Sequence, residues 1–312
     1  MENESVETDI LLIEGLNVTP QSSIPAFILL LIIYVFIMLS NISLVVLISV
    51  ERSLHQPMYL LFCSMGINDA FGASAILPHL LSNLFTPSSE RTIHYAACAV
   101  QAFCGHLHAA VAHSVLMVMA FDRYVAVCRP LQYSSIMSTR MVVNLSASAW
   151  GVSVVIVLTL VSLSVRLSRC RRVVFNPFCD NPCLFKLSCQ DITINNLYGL
   201  ASTAVMLTAS LGSVTLTYLK IVVVCLSSQR KTLNSRALQT CATHLTLYVI
   251  MMVSGMVIVT LHRFPELSEI RKLSSIMFHV IPPALNPTIY GLQIKAVQQK
   301  ITAIFTRNHD HM

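Results

Sequence analysis

The chain has 312 residues, of which 55% are hydrophobic and only 11% are charged, and its formal net charge is +6 at pH 7. An ordinary soluble domain has about 25% charged residues and places most of its large apolar side chains inside. A soluble fold of this length has no place for so much apolar surface. The composition therefore excludes a soluble enzyme, a disordered protein and a nucleic-acid binder.

Seven long apolar segments follow one another along the chain. Each has at least the roughly 20 residues that a helix needs to cross about 30 Å of hydrocarbon. They cover residues 25–50, 57–84, 95–122, 141–165, 195–224, 237–261 and 273–292. We therefore predict an all-α membrane protein in which residues 25–292 form a bundle of seven transmembrane helices. Because the connections are short, neighbouring helices are expected to be antiparallel.

The charges at the ends of the spans orient the bundle. Residues 1–24 carry five acids and no Lys or Arg, whereas basic residues collect at the inner ends of spans three, four, six and seven. The positive-inside rule then places the N-terminus outside and the C-terminus in the cytoplasm. The basic loop 164–195 is an exception on the outer side. We expect an extracellular tail over 1–24, with a sequon at Asn17 and a weaker one at Asn3. Residues 293–312 form the cytoplasmic tail, with a short amphipathic helix.

Ten cysteines divide between the two sides of this topology. Five lie in or near the inner ends of spans and are typical of small buried hydrophobic residues. The other five fall on the outer, oxidising side, which favours disulfides and leaves one thiol over, although spacing alone does not fix the pairing: Cys98, Cys170, Cys179, Cys183 and Cys189. A zinc site at Cys179 and Cys183 is the alternative, but that loop contains no histidine.

Asp69 is an acid in the middle of the second span. Charge at that depth is costly, so an intramembrane carboxylate is a functional candidate by default. Its candidate partners are Asn41, Ser114 and Asn286, which all lie in spans. The alternative is a protonated, hydrogen-bonded Asp with a structural role.

Four further features depart from apolar packing. Asp122-Arg123-Tyr124 ends the third span and is either an interface anchor or a switchable ion pair. Prolines in the seventh span predict a hinge or a static bend. His106, Ala110 and His113 share one face of the third helix, where they either pack or line a cavity. Arg263, at the outer end of span six, either snorkels to the interface or offers a cation to a ligand. The sequence has no catalytic motif, so we do not expect an enzyme.

Four motifs, in order and at the right spans, resemble those of vertebrate odorant receptors, a branch of the rhodopsin-like G-protein-coupled receptors. They are Pro57-Met58-Tyr59, Met119-Ala120-Phe121-Asp122-Arg123-Tyr124-Val125-Ala126-Val127-Cys128, Arg236-Ala237-Leu238-Gln239-Thr240-Cys241-Ala242-Thr243-His244 and Pro283-Ala284-Leu285-Asn286-Pro287-Thr288-Ile289-Tyr290. The resemblance covers nearly the whole chain. His262-Arg263-Phe264 and the second outer loop are most similar to the class I, fish-like subgroup.

The resemblance implies roles for particular residues. It pairs Cys98 with Cys179 and Cys170 with Cys189, leaving Cys183 free. It makes Asp69 the acid of an allosteric sodium pocket and assigns the G-protein switch to two groups: Asp122, Arg123 and Tyr124, and Asn286, Pro287 and Tyr290. It also implies that no other cofactor is needed, that the protein lies in the plasma membrane of sensory cilia among lipids, and that its partner is a stimulatory, olfactory heterotrimeric G protein.

Two departures from the family pattern are visible. Ala112 stands where the family has a glutamate, which argues against a sodium site that relies on two carboxylates. Met251 and Met252 replace an aromatic Phe-Tyr pair in the sixth span, so any rotamer switch at that level uses flexible thioethers.

We therefore expect a receptor that binds a small odorant in the outer half of the bundle and raises cAMP. The basic outer loop and Arg263 favour anionic, water-soluble ligands. The alternatives are a receptor for an endogenous metabolite outside olfactory tissue and a small transporter or channel. The candidate pocket residues come from spans three, five and six: His106, Ala109, Ala110, His113, Thr203, Leu207, Met252, Gly255, Met256, Val259 and Arg263.

Overall fold

A computed structural model of the chain describes residues 9–16, 18–227 and 231–293. The predicted sequons at Asn3 and Asn17 and the cytoplasmic tail lie outside these residues, and so does the side chain of Tyr290. Within the described ranges the chain forms nine α-helices. They are α1 (Pro20–Val50), α2 (Pro57–Asn83), α3 (Tyr95–Cys128), α4 (Tyr133–Ile136), α5 (Thr139–Val165), α6 (Asn181–Lys186), α7 (Thr193–Ser227), α8 (Lys231–Leu261) and α9 (Ser268–Gln293).

Seven of these helices are long, and they are the seven spans of the predicted bundle. Six of them are long and apolar enough to cross a membrane by length and composition alone. The seventh, α9, is less apolar because its first turns carry Glu269, Arg271 and Lys272. The helices also run past the predicted spans, since α3 continues to Cys128 and α7 covers Thr193–Ser227. Helical backbone hydrogen bonds do not depend on apolar side chains, so the helices continue past the apolar segments from which the spans were predicted.

Local sequence explains where several helices begin. Pro20 and Pro57 occupy the first turn of α1 and α2, where their missing N–H is not needed. Ser138 caps α5, because its hydroxyl accepts a hydrogen bond from the backbone N–H of Met141. These starts fix the short connections, and with them the antiparallel order of the bundle.

Helix α3 lies at the centre of the bundle. It packs against α2, α5 and α7, and it also contacts α8. Its buried faces carry many small side chains, among them Ala102, Ala110, Ala112 and Ala120. Small residues let neighbouring backbones approach closely, which is how helices associate in a lipid environment.

The outer end of the bundle carries a small three-stranded sheet. Strand β1 (Ile10–Ile13) lies in the middle, antiparallel to β2 (Thr92–His94) and parallel to β3 (Val173–Val174). The side chain of Arg91 donates to the carbonyls of Glu14 and Leu16. The N-terminal segment is therefore folded onto the first two outer loops, which the sequence analysis described only as a tail.

Two disulfides hold the second outer loop over the bundle. Cys98 at the start of α3 is bonded to Cys179, and Cys170 is bonded to Cys189 within the loop. These are the pairs that the resemblance implied. Cys183 is a free, partly buried thiol in α6. Because Cys179 is tied to α3, the loop segment that follows it is held above the bundle core.

Candidate functional site

A cavity of about 340 Å³ lies in the outer half of the bundle, beneath the second outer loop. Helices α3, α7, α8 and α9 and the loop contribute to its walls, which are mostly apolar. Nine of the eleven predicted pocket residues line it: His106, Ala109, Ala110, His113, Thr203, Leu207, Gly255, Val259 and Arg263. The face of α3 that carries His106, Ala110 and His113 therefore points into the cavity, which is one of the two alternatives that its helical spacing left open.

The structure places the other two predicted pocket residues elsewhere. Met256 follows the cavity-lining Gly255 directly, so the helical turn carries its side chain away from the cavity, and it is 47% exposed on the outside of the bundle. Met252 packs against the core, where its sulfur accepts a weak hydrogen bond from the Tyr248 hydroxyl at 3.8 Å. Including Met252 and Met256 in the pocket was a wrong prediction about the rotation of the sixth span.

The second outer loop forms a roof that is bonded to two helices. Asp180 caps the short helix α6 and lies 3.2 Å from Nε2 of His262, just beyond the end of α8. The backbone N–H of Asn181 donates to Nε2 of His106 on α3 at 3.1 Å. The roof thus links α3 to the outer end of α8. Sequence reasoning missed Asp180 and Asn181 because their position depends on how the loop folds.

The electrostatics of the roof are dominated by one buried acid. Burial opposes the ionisation of Asp180, but the hydrogen bond and charge of His262 and the N–H of Cys183 overcome this and lower its pKa below the usual carboxyl range. Burial, and secondarily the Asp180 carboxylate, raise the pKa of the Cys183 thiol well above its ordinary value. The thiol therefore stays protonated, and a thiol in this form is a poor nucleophile.

Two cationic side chains border the cavity without being paired to a carboxylate in the part of the chain that the structure describes. Arg263 lies beyond the last residue of α8, and its Nη2 is 3.4 Å from Oδ1 of Asn196 on α7. Lys186, at the end of α6, also lines the cavity and is exposed. Asp180 is the one acid among the described lining residues, and its carboxylate already pairs with His262. The mouth of the cavity is therefore electropositive.

Asp69 lies deeper and is buried between helices. Its Oδ2 accepts a hydrogen bond from Nδ2 of Asn286 at 2.8 Å, and its Oδ1 is 3.5 Å from Nε2 of His108. Asn286 was among the predicted partners, whereas Ser114 donates to the carbonyl of Ala110 instead. The sequence analysis did not identify His108 as a partner of Asp69. Its side chain points towards α2 and does not line the cavity.

These contacts bear on sodium binding. The groups around Asp69 are one carboxylate, an amide and an imidazole, and hard cations prefer carboxylate, carbonyl and water oxygens. Ala112 supplies no second acid. Among the described residues, no group of three or more His, Cys, Asp or Glu side chains is arranged to hold a metal ion. Sodium binding at Asp69 therefore stays a prediction.

The inner end of α3 carries a closed ion pair. Nε and Nη2 of Arg123 both donate to Oδ2 of the fully buried Asp122. The hydroxyl of Tyr133 on α4 donates to the other carboxylate oxygen at 2.8 Å. Asp122 therefore has a partner for each oxygen, which holds the guanidinium against the helix. The neighbouring Tyr124 lies with its ring 5.6 Å from Nζ of Lys220.

The prolines of the seventh span lie inside the continuous helix α9. Pro287 has no N–H to give to the carbonyl of Pro283, four residues earlier. Nδ2 of Asn41 on α1 donates to that carbonyl at 3.0 Å instead. Another helix thus satisfies the backbone group that the proline leaves without a partner, as membrane helices require.

Comparison with known proteins decides the family. Residues 30–308 match the family model described as olfactory receptor. Human olfactory receptor 10H1 is 32% identical over 307 residues, which cover 97% of this chain and 95% of that protein. Mouse olfactory receptor 1E16 is 30% identical over 308 residues, covering 98% and 96%. The chain belongs to the olfactory receptor family.

Membership confirms several predictions made from the sequence. This olfactory receptor is a seven-helix, multi-pass protein of the plasma membrane and not an enzyme. The resemblance read from the four motifs was therefore correct at the level of the family. Assignment to the class I subgroup stays a prediction, because the family match does not distinguish subgroups.

Proposed function

We propose that this olfactory receptor binds small, anionic, water-soluble odorants in the covered cavity and activates a stimulatory, olfactory heterotrimeric G protein. The response is a rise in cAMP, and the site of action is the plasma membrane of sensory neuron cilia. The observation that carries the proposal is the electropositive mouth of an otherwise apolar cavity. A carboxylate at Arg263 and an apolar chain against Ala109, Leu207 and Val259 would satisfy both parts.

The placement of Arg263 connects binding to the inner end of the bundle. Arg263 lies at the outer end of α8, close to Asn196 of α7. An anion bound between them favours one position of α8 over another, and such differential affinity is what shifts a conformational equilibrium. A bias of a few kcal/mol is sufficient to change the active population measurably. The shift we propose moves the inner end of α8 outward and opens the Asp122–Arg123 pair to the G protein.

The test is a cAMP assay in cells that express the receptor, with a panel of carboxylic acids and neutral odorants of similar size. Arg263→Ala removes a charge-assisted hydrogen bond of about 1.5–3 kcal/mol, so the concentration for half-maximal response to acids should rise roughly 10- to 100-fold. Responses to neutral odorants should change little.

A matched control is Arg171→Ala, which removes the same charge from an exposed part of the outer loop that does not line the cavity. It should leave all responses as they are once surface expression is matched. If Arg263→Ala and Arg171→Ala behave alike towards every acid, the anionic-ligand proposal is wrong.

A further inference from the structure

Two buried polar groups in the cavity wall lack hydrogen-bond partners. Oγ of Ser275 on α9 and Oδ1 of Asn195 on α7 make no hydrogen bond to any residue that the structure describes, although the two residues are only 2% and 1% exposed. Both residues line the cavity. An unpaired buried polar group costs about 1–3 kcal/mol, and native proteins pair nearly all such groups. Unpaired groups in a ligand cavity therefore indicate where ligand polar atoms bind.

The two groups lie at different depths. Asn195 is two residues from the outer start of α7, close in sequence to Asn196, which contacts Arg263. Ser275 is seven residues from the outer start of α9, so at 1.5 Å per residue it lies about 7.5 Å further from the outer end of its helix than Asn195 does from its own. One group therefore lies near the electropositive mouth and the other inside the apolar part of the cavity.

Near the mouth, the unpaired atom of the Asn195 amide is Oδ1, which is an acceptor. Its Nδ2 is 3.2 Å from Oγ of Ser164, whose own proton goes to Oδ1 of Asn181. This network fixes the orientation of the amide, because turning it would place Oδ1 beside a hydroxyl whose proton is already donated to Asn181. The carboxylate contact therefore rests on Arg263, and Oδ1 of Asn195 requires a donor on the ligand.

Deeper in the cavity, Ser275 requires an uncharged partner. A second carboxylate there would lose its hydration with no cation in contact, which is costly. An ammonium group is disfavoured by Arg263 and Lys186 at the mouth. A hydroxyl both donates and accepts, so it satisfies Ser275 in either role, and the aromatic side chains of Phe178 and Phe278 also line this cavity.

We infer that the preferred ligands are organic acids that also carry a hydroxyl group, with the carboxylate at Arg263 and the hydroxyl on Oγ of Ser275. The inference rests on the proposed function and adds a second recognition point. A site built to bond a hydroxyl discriminates strongly against the analogue that lacks it, because its own polar group is then left unpaired.

The experiment compares hexanoic acid with a set of hydroxyhexanoic acids that differ in the position of the hydroxyl, using cAMP dose–response curves in cells. At least one hydroxy acid should act at a concentration roughly 10-fold or more below that of hexanoic acid. Ser275→Ala should reduce this advantage to about twofold or less, while the response to hexanoic acid stays the same or improves.

Ser202→Ala is the matched control. Ser202 also lines the cavity, but its hydroxyl already donates to the carbonyl of Gly199 at 3.2 Å, so the hydroxyl preference should survive its removal. The inference is overturned if no hydroxy acid exceeds hexanoic acid, if Ser275→Ala keeps the preference, or if it weakens both ligand types equally. If no acid raises cAMP in the unaltered receptor, the proposed anionic-ligand function itself fails, which is a distinguishable result.

Discussion

The contact between α2 and α3 at Gly72 allows a stringent test of the packing around Asp69. A Cβ added at Gly72 would lie 2.5 Å from both Cγ and Cδ2 of His108 and 3.0 Å from its Cβ. The imidazole is 1% exposed and is packed with its ring centre 5.6 Å from that of His279. The clash involves the root of the side chain, so a simple rotation of a flexible end cannot relieve it. We predict that Gly72→Ala destabilises the receptor.

The magnitude follows from the energetics of overpacking, which costs about 1–3 kcal/mol for an added methylene in a well-packed core. At a conversion of roughly 2–4 °C per kcal/mol, the thermal midpoint of the purified receptor should fall by roughly 2–12 °C. Displacing His108 also moves it from Asp69. The assay is thermal unfolding in detergent, followed by thiol-reactive dye or by loss of monodisperse protein.

Two further variants make the reasoning refutable. Gly151→Ala, in α5, adds the same methyl group where no described heavy atom lies within 4 Å, so stability should be unchanged or slightly raised by the better helix propensity of Ala. His108→Ala removes the clashing ring, so the double variant with Gly72→Ala should be less unstable than the sum of the single changes. Equal midpoints for Gly72→Ala and Gly151→Ala, or strict additivity in the double variant, would show that α2 and α3 are not packed as described.

Two other predictions concern hydrogen bonds between helices and in the roof. Asn41→Ala leaves the carbonyl of Pro283 buried without its donor, so the receptor should lose about 1–3 kcal/mol, seen as a lower thermal midpoint; an unchanged midpoint would contradict this. Asp180→Asn should destabilise the receptor near pH 5. Because the pKa of Asp180 is lowered in the folded state, its contribution is present above the ordinary carboxyl pKa of about 3.9 and is lost progressively as the pH falls towards the lowered value, so the difference between the two midpoints should shrink steadily below about pH 3.9. A difference that widens on acidification would refute the role of the ionised carboxylate.

The fold was predictable because membrane insertion makes length and apolar composition decisive. Spans such as 25–50 and 141–165 need no tertiary information, since every backbone group in lipid must be satisfied within a helix. The outer sheet was not predictable by the same means. Strand β1 has only four residues, and it forms because two separate loops supply its partners. The ion pair of Lys272 was not predictable either. Its buried Nζ lies 3.0 Å from Oε1 of Glu14 and so joins α9 to a segment that is far away in the sequence.

In the candidate site, too, features set by local sequence were predictable and features set by tertiary contacts were not. The α3 face that includes His106, Ala110 and His113 follows from helical spacing, and all three residues line the cavity. The rotation of α8 does not follow from spacing, because both sides of an apolar helix look alike in sequence. This is why Met252 and Met256 were misplaced. Ser275 carried no signal at all, since its importance lies in the absence of a partner among the described residues.

The hydrogen bonds of α8 explain why this helix is suited to carry the signal. In its described residues, α8 packs extensively against α9 but only sparsely against α3 and α7. A helix with few buried contacts moves at a low energetic cost. Two polar bridges hold it to α7 in the present arrangement, from Tyr248 to Ser210 at 2.9 Å and between Tyr218 and His244.

The bridge at Ser210 also reaches the cavity. Oγ of Ser210 lies 3.4 Å from Nδ1 of His113, a residue of the cavity wall, and the same hydroxyl contacts Tyr248 on α8. A ligand that rearranges His113 therefore competes for a hydroxyl that holds α8 in place, while one that binds Arg263 pulls on the outer end of the same helix. Both effects act on α8, whose described residues pack only sparsely against α3 and α7. Under the proposed mechanism, modest binding energy at the cavity is therefore sufficient to release the inner end of α8 near Arg123.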